Sequence, residues 1–164
     1  MHGLIDTAGP RSVVRPAAGF TLLELVIVIA VASLLAAVAM PAYSAYRVRV
    51  QNSQAIADIG ILAAEIERYR SNNSGEPPEV LNQLPVAVPK DPWGHDYVYT
   101  PLEGAKANPG NARWDKNLKP INVDFDLYSA GEDGKTARKI SNKDALDDII
   151  RANGGSYIGL ARDY

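Results

Sequence analysis

The 21 residues from Phe20 to Met40 carry one formal charge, Glu24, and the next basic residue is Arg47. As a helix such a run reaches about 31 Å at 1.5 Å per residue, enough to cross the hydrocarbon core of a bilayer. A secretory signal has a shorter apolar region of about 7–15 residues, with its cut beyond that region. A plain anchor has no use for Glu24, because an unpartnered acid in lipid costs at least about 2.5–3.5 kcal/mol. The nearest partner is positive charge at the start of this helix or of a second copy beside it. Hydrolysis between Gly19 and Phe20 would create an α-amino group about one helical turn from Glu24. A free amine and one buried acid make a self-complementary head-to-side contact, and repeating it builds an open helical filament.

Beyond this run the chain reads in segments. Residues 1–19 contain Gly9-Pro10 and Pro16-Ala17-Ala18-Gly19 without an apolar period, as in a disposable leader. After Pro41, which should kink or loosen the helix, Val48, Ala55, Ile56, Ile59, Leu62, Ala63, Ile66 and Tyr69 recur at three- and four-residue steps. They form one apolar stripe that needs a sheet to cover it. Ser71-Asn72-Asn73-Ser74-Gly75 and then Pro77-Pro78 stop the helix. One helix is therefore predicted from Phe20 to about Asn72, apolar all round in its first half and amphipathic in its second.

The remainder is β-prone and turn-rich. Asp91-Pro92-Trp93-Gly94 is turn chemistry, with Trp93 expected as a core anchor and His95 as a surface turn residue. Tyr97 to Thr100 reads as a strand, and residues 101–120 as a long polar loop of the kind that is functional or mobile. Trp114 in that loop reads equally as a subunit contact or a core residue. Ile121 to Tyr128 alternates Val123, Phe125 and Leu127 against Asp124, Asp126 and Tyr128, the pattern of a half-buried antiparallel strand. Asp147 to Ala152 has no clear type, and Ser156 to Leu160 reads as a short last strand. The fold class is α+β: a long helical spine on a small antiparallel sheet. Its parts are a leader (1–19), a helix (20–73, with 20–40 in membrane or fibre) and a β head (74–164).

The segment Gly19-Phe20-Thr21-Leu22-Leu23-Glu24-Leu25-Val26-Ile27-Val28-Ile29-Ala30 resembles the class III signal of type IV pilins and type II secretion pseudopilins. The resemblance implies cleavage after Gly19 by a prepilin peptidase, methylation of Phe20, and pairing of Glu24 with a neighbour's N-terminus. Arg11 and Arg15 stand further from the cut than that family's usual adjacent cation. Asp91-Pro92-Trp93-Gly94-His95-Asp96-Tyr97, followed by Asp126-Leu127-Tyr128-Ser129-Ala130-Gly131-Glu132-Asp133-Gly134, resembles the major pseudopilin of type II secretion. It implies a self-polymer built in the inner membrane by an assembly platform, with minor pseudopilins, whose growth drives protein export. The alternative within the class is a type IV pilus pilin. Such pilins usually close their C-terminal region with a disulfide, and this chain has no cysteine. Residues 153–164 depart from the pseudopilin pattern and keep the pilin alternative open.

Orientation rests on the same resemblance, because Arg11 and Arg15 before the span match Arg47 and Arg49 after it. It implies a single-pass protein with lipid around the first helix before assembly and its head in the periplasm. Lacking disulfides, an exported head this small needs its core, its neighbours or a metal for stability. Asp133, Asp144, Asp147 and Asp148 flank a loop rich in Lys, Gly and Ser, and calcium takes six to eight oxygen ligands. Alone, these acids read as solvated residues beside Lys135, Arg138, Lys139 and Lys143. The resemblance implies one Ca²⁺ here, with Asp133 as first carboxylate, the Ala130 carbonyl, and Asp148 or Asp147 as the second aspartate.

Other functions have little to stand on. The chain holds 17 basic and 19 acidic residues, or 15 and 18 once residues 1–19 are removed, a formal −3. No basic cluster with interleaved aromatics appears in the sequence, so nucleic acid is not an expected partner. Of two histidines, His2 leaves with the leader, and no nucleophile, metalloprotease or phosphate-loop motif occurs. The chain is not read as an enzyme. A monomeric tethered module whose 101–120 loop holds a ligand is the reading from another class, and it predicts that Glu24→Ala is harmless.

Overall fold

The computed structural model describes residues 19–164, so the expected leader, apart from Gly19, lies outside the described residues. Helix α1 spans Leu22–Asn72, starting two residues after the predicted Phe20 and ending where predicted. The chain forms two compact units, Met1–Ala42 and Tyr43–Tyr164. The amphipathic half of α1 belongs to the second of these units.

Among the described residues of the first unit the large apolar side chains are exposed: Leu34 and Val38, for example, retain 70% and 71% of their accessible surface. The helix is long and apolar enough to cross a membrane. Pro41 lies inside it without interrupting it, so the expected loosening does not reach a break.

In the second unit α1 buries Ala55, Ile59, Leu62 and Ile66, with Ile56, Ala63 and Tyr69 packed beside them. Val48, assigned to the same stripe from its spacing, is instead exposed. The stripe begins at Ala55, where sheet residues exist to cover it. At its end the N–H groups of Asn73 and Gly75 both donate to the Arg70 carbonyl, at 3.1 and 2.9 Å, and close the helix.

The sheet has four antiparallel strands in simple order: β1 (Val98–Pro101), β2 (Phe125–Ser129), β3 (Ile149–Ala152) and β4 (Tyr157–Leu160). Tyr99 pairs with Leu127, Tyr128 with Ile150, and Ile150 with Gly159. One face carries Phe125, Leu127 and Ile149 against the helix, together with Leu81, Leu84 and Tyr97. The other face is also covered, by a second cluster of Ile121, Ile140, Ile150, Ala152 and Ala161 with Tyr128, Tyr157 and Tyr164. Residues 153–164 thus supply β4 and part of this second layer.

Coverage on both faces corrects the reading of β2. Phe125 and Leu127 are buried as predicted, but Asp126 is buried too, and Val123 is 77% exposed because the strand starts only at Phe125. It also explains why Asp147 to Ala152 showed no type. All four residues of β3 are buried, and a strand buried on both sides has no polar alternation to read.

Charge lies inside the head on both sides of the sheet. The Arg113 N–H donates to Asp126 Oδ2 at 2.6 Å, and its guanidinium sits 4.0 Å from the Tyr128 ring centroid. The same guanidinium donates to Asp148 Oδ2 at 2.5 Å, with both side chains buried. Arg151 pairs with Asp124 at 2.6 Å and lies 3.9 Å from the Phe125 ring centroid. The 101–120 loop is tied to the body through Leu102 to the Asp124 carbonyl, Arg113 to Asp126, and Trp114 to the Arg138 carbonyl.

Candidate functional site

The first candidate site is the start of α1. The Thr21 hydroxyl accepts the Glu24 N–H at 3.2 Å. In return Glu24 Oε2 accepts the Thr21 N–H at 2.9 Å and the Thr21 hydroxyl at 2.8 Å. Two helix-start donors are thereby satisfied reciprocally, which is a capping box. The signature Thr-x-x-Glu stands in the sequence, where it marks a helix start as well as a charge. The cap holds the carboxylate at the positive end of the helix, next to the bond between Gly19 and Phe20. Phe20 itself is exposed.

The second is the loop between β2 and β3. Its root is Asp91, a buried residue whose Oδ1 accepts the N–H groups of Trp93 and His95, at 3.1 and 2.8 Å. The Ser129 hydroxyl donates to Asp91 Oδ2 at 2.5 Å and accepts the Gly131 N–H at 3.1 Å. The two sequence motifs around Asp91 and Ser129 are therefore one hydrogen-bonded unit. His95 belongs to it: a Cβ on Gly134 would lie 2.9 Å from His95 Nε2, so the ring covers the loop rather than standing free as a surface turn residue. Ser129 is buried, and its hydroxyl is fully engaged between the Asp91 carboxylate and the Gly131 N–H.

Gly131 has φ +68°, and a Cβ there would fall 2.5 Å from both the Asp147 carbonyl oxygen and Asp147 Oδ2. Only glycine admits this approach. Asp147 Oδ2 accepts the Asp133 N–H at 3.2 Å, and Asp133 Oδ1 accepts the Lys135 N–H at 2.8 Å. The turn that follows Ala130 thus brings Asp133 and Asp147 together. Asp148 is used differently, its Oδ2 taking Arg113 and the Thr136 hydroxyl, at 2.5 and 2.7 Å. Its Oδ1 is buried without a hydrogen bond. Burial pushes the Asp148 carboxyl up to about 6, against the pull of Arg113. Burial likewise raises Asp126, whereas at Asp124 the desolvation is outweighed by the Arg151 ion pair and the Phe125 N–H, and its carboxyl is lowered.

No cluster of three or more His, Cys, Asp or Glu side chains with metal-binding spacing occurs among the described residues. A cation at this turn would rest on the two carboxylates of Asp133 and Asp147 together with backbone oxygens. That is hard-oxygen chemistry suited to calcium rather than to zinc.

Residues 14–40 match the prokaryotic N-terminal methylation motif. Type II secretion system core protein G of Escherichia coli (strain K12) is 28% identical over 137 residues, covering 71% of this chain and 83% of that protein. The core protein G of Pseudomonas aeruginosa is 28% identical over 141 residues, 74% of this chain and 87% of its own. A type IV major pilin of Neisseria gonorrhoeae is 42% identical over 80 residues, 49% of this chain and 48% of the pilin. The chain is homologous to type II secretion core protein G and to the type IV pilins. No solved structure gives a significant match.

The methylation motif includes Gly19, Phe20 and Glu24, the three residues singled out at the helix start. The homologues are structural subunits rather than enzymes. The likeness to core protein G extends over far more of the chain than the motif does, so the head belongs to the comparison as well as the helix.

Proposed function

We propose that this protein is a structural subunit of a type II secretion pseudopilus. Prepilin peptidase cuts after Gly19, Phe20 is methylated, and an inner-membrane platform polymerises the subunit, with minor pseudopilins, into a periplasmic fibre that drives export. The observation that carries this reading is the apolar helix start, where Thr21 and Glu24 form a cap on a surface that no other described residue buries. Before assembly the cap satisfies the carboxylate inside one molecule. In the fibre the Phe20 amine of a neighbour replaces part of that cap with a full charge. The match to a type IV major pilin supports a second reading, a pilus subunit for adhesion, motility or DNA uptake.

Glu24→Ala tests assembly. Fibres should fall by tenfold or more, on the order of the loss of one charge pair, while membrane-inserted protein stays at its normal level. Normal fibres would remove the assembly role and favour the monomeric module.

Calcium is the second element of the proposal. Asp133 and Asp147 would hold it, with the Ala130 carbonyl, and Asp148 would stand behind them on Arg113. The ion would tie the loop to β3, where a cysteine pair is absent. Chelation should lower the unfolding temperature of the full chain in detergent, and Asp147→Ala should erase the difference. An unfolding temperature indifferent to chelator in the unsubstituted protein would end the metal assignment.

A further inference from the structure

Trp114 and the cations around residue 138 lie in separate stretches of sequence, yet the fold joins them. The Trp114 N–H donates to the Arg138 carbonyl at 2.9 Å, and the Ile140 N–H donates to the Trp114 carbonyl at 3.0 Å. This short ladder is held from behind by Arg113, whose N–H and guanidinium are engaged on the buried carboxylates of Asp126 and Asp148. A cleft of about 370 Å³ opens here, lined chiefly by Pro109, Ala112, Trp114, Lys119, Pro120 and Arg138, with no carboxylate in its lining.

The cations in and beside this cleft are positioned rather than loose: Lys119 and Arg138 line it, and Lys139 stands against the same Trp114 ring. Lys119 Nζ lies 4.3 Å from the centroid of the Trp114 ring and Lys139 Nζ 5.5 Å from it, within the reach of cation–π attraction. The Arg138 guanidinium donates to the Gly110 carbonyl. None of the three has a carboxylate of the described residues within ion-pair distance, whereas Arg68, Arg70, Lys90 and Arg151 all do. In a chain of formal charge −2 this is a local reversal of sign, and a cleft lined by one sign of charge concentrates ions of the other.

We propose that this cleft binds an anionic saccharide, a pyranose bearing a carboxylate or phosphate. The flat C–H faces of a sugar ring match the pyrrolidine walls of Pro109 and Pro120, and its anionic group matches Lys119, Lys139 and Arg138. The volume falls in the range of small-molecule sites. An acidic segment of a second copy lacks the flat ring faces that Pro109 and Pro120 match, and a tetraglutamate probe tests it. A nucleic acid asks for a stripe of cations tracking many phosphates, and this site offers three around one cleft. The proposal stands independently of fibre assembly.

The test titrates the full chain in detergent with tetragalacturonate, reading tryptophan fluorescence and binding heat. Maltotetraose, inorganic phosphate, a tetraglutamate peptide and an oligothymidylate serve as comparison probes. Tetragalacturonate should bind at least about tenfold more tightly than any of these except phosphate, the equivalent of one 1.4 kcal/mol contact, and more weakly as salt rises. Phosphate binding that competes with it would identify the anion subsite as the dominant contact. Lys119→Gln and Arg138→Gln should each weaken binding by about tenfold without moving the unfolding temperature, and Trp114→Phe should abolish the fluorescence response. Equal binding of maltotetraose, preference for the peptide or the oligonucleotide, unchanged affinity in both charge variants, or no binding at millimolar sugar would each overturn the proposal.

Discussion

The two units of this chain handle burial in opposite ways. Through residues 20–42 large apolar side chains stand exposed, and the one charge is satisfied by a neighbour three residues away. Through residues 43–164 the apolar residues are covered on both faces of a small sheet, and charges lie in the interior as pairs. The first unit is therefore incomplete by itself, because its surface needs lipid or copies of the same helix. The head is complete, and its stability is set by internal packing and by buried ion pairs.

Removing one partner of a buried pair leaves the other charge stranded, so Arg113→Ala should cost the head about 3–5 kcal/mol. Insertion of the first unit should not change. A much smaller loss in a denaturant unfolding experiment would mean that water reaches Asp148 and that the interior is less closed than its geometry shows.

A leucine pair sharpens the contrast within a single helix. Leu62 is 2% exposed and Leu34 is 70% exposed. Leu62→Ala should cost the head about 2–5 kcal/mol. Leu34→Ala should leave head unfolding unchanged and reduce fibre yield instead. Equal effects of the two substitutions on head unfolding would erase the distinction between the units.

The smallest expected effect is on pH. Asp148 has a folded value of about 6 against roughly 3.9 in an unfolded chain. Protonation therefore favours the folded state: this contribution is fully present below about pH 4 and is lost as pH rises through about 6. Asp126 acts in the same direction, while Asp124, lowered in the folded state, adds stability that is lost only on further acidification. With chelator present, the unfolding temperature should rise by a few degrees between pH 7 and pH 5, and Asp148→Asn should flatten that rise. A fall over this interval would show that Arg113 dominates over burial.

What the sequence revealed follows the same division. Helix α1, its stop near Asn72, the inward positions of Phe125 and Leu127, and the methylation motif at the helix start were all legible, because periodicity and local motifs encode them. Val48 was misassigned because spacing marks a face but not where the covering sheet begins. β3 and the burial of Asp126 were hidden because a strand enclosed on both sides loses its alternation. The links between Asp91 and Ser129, and between Trp114 and Arg138, join residues far apart in the chain, and only the fold brings them together. At the loop, residue types alone could not divide two adjacent aspartates, whereas the geometry gives Asp147 to the turn at Gly131 and Asp148 to Arg113.

The central claim is that Glu24 is tolerated in an apolar helix because cutting the chain before Phe20 supplies the cation it pairs with. Mass spectrometry of the subunit recovered from native fibres tests this most directly. The expected result is a chain beginning at Phe20 with a methylated amine; fibres built from subunits that still carry residues 1–19 would contradict it.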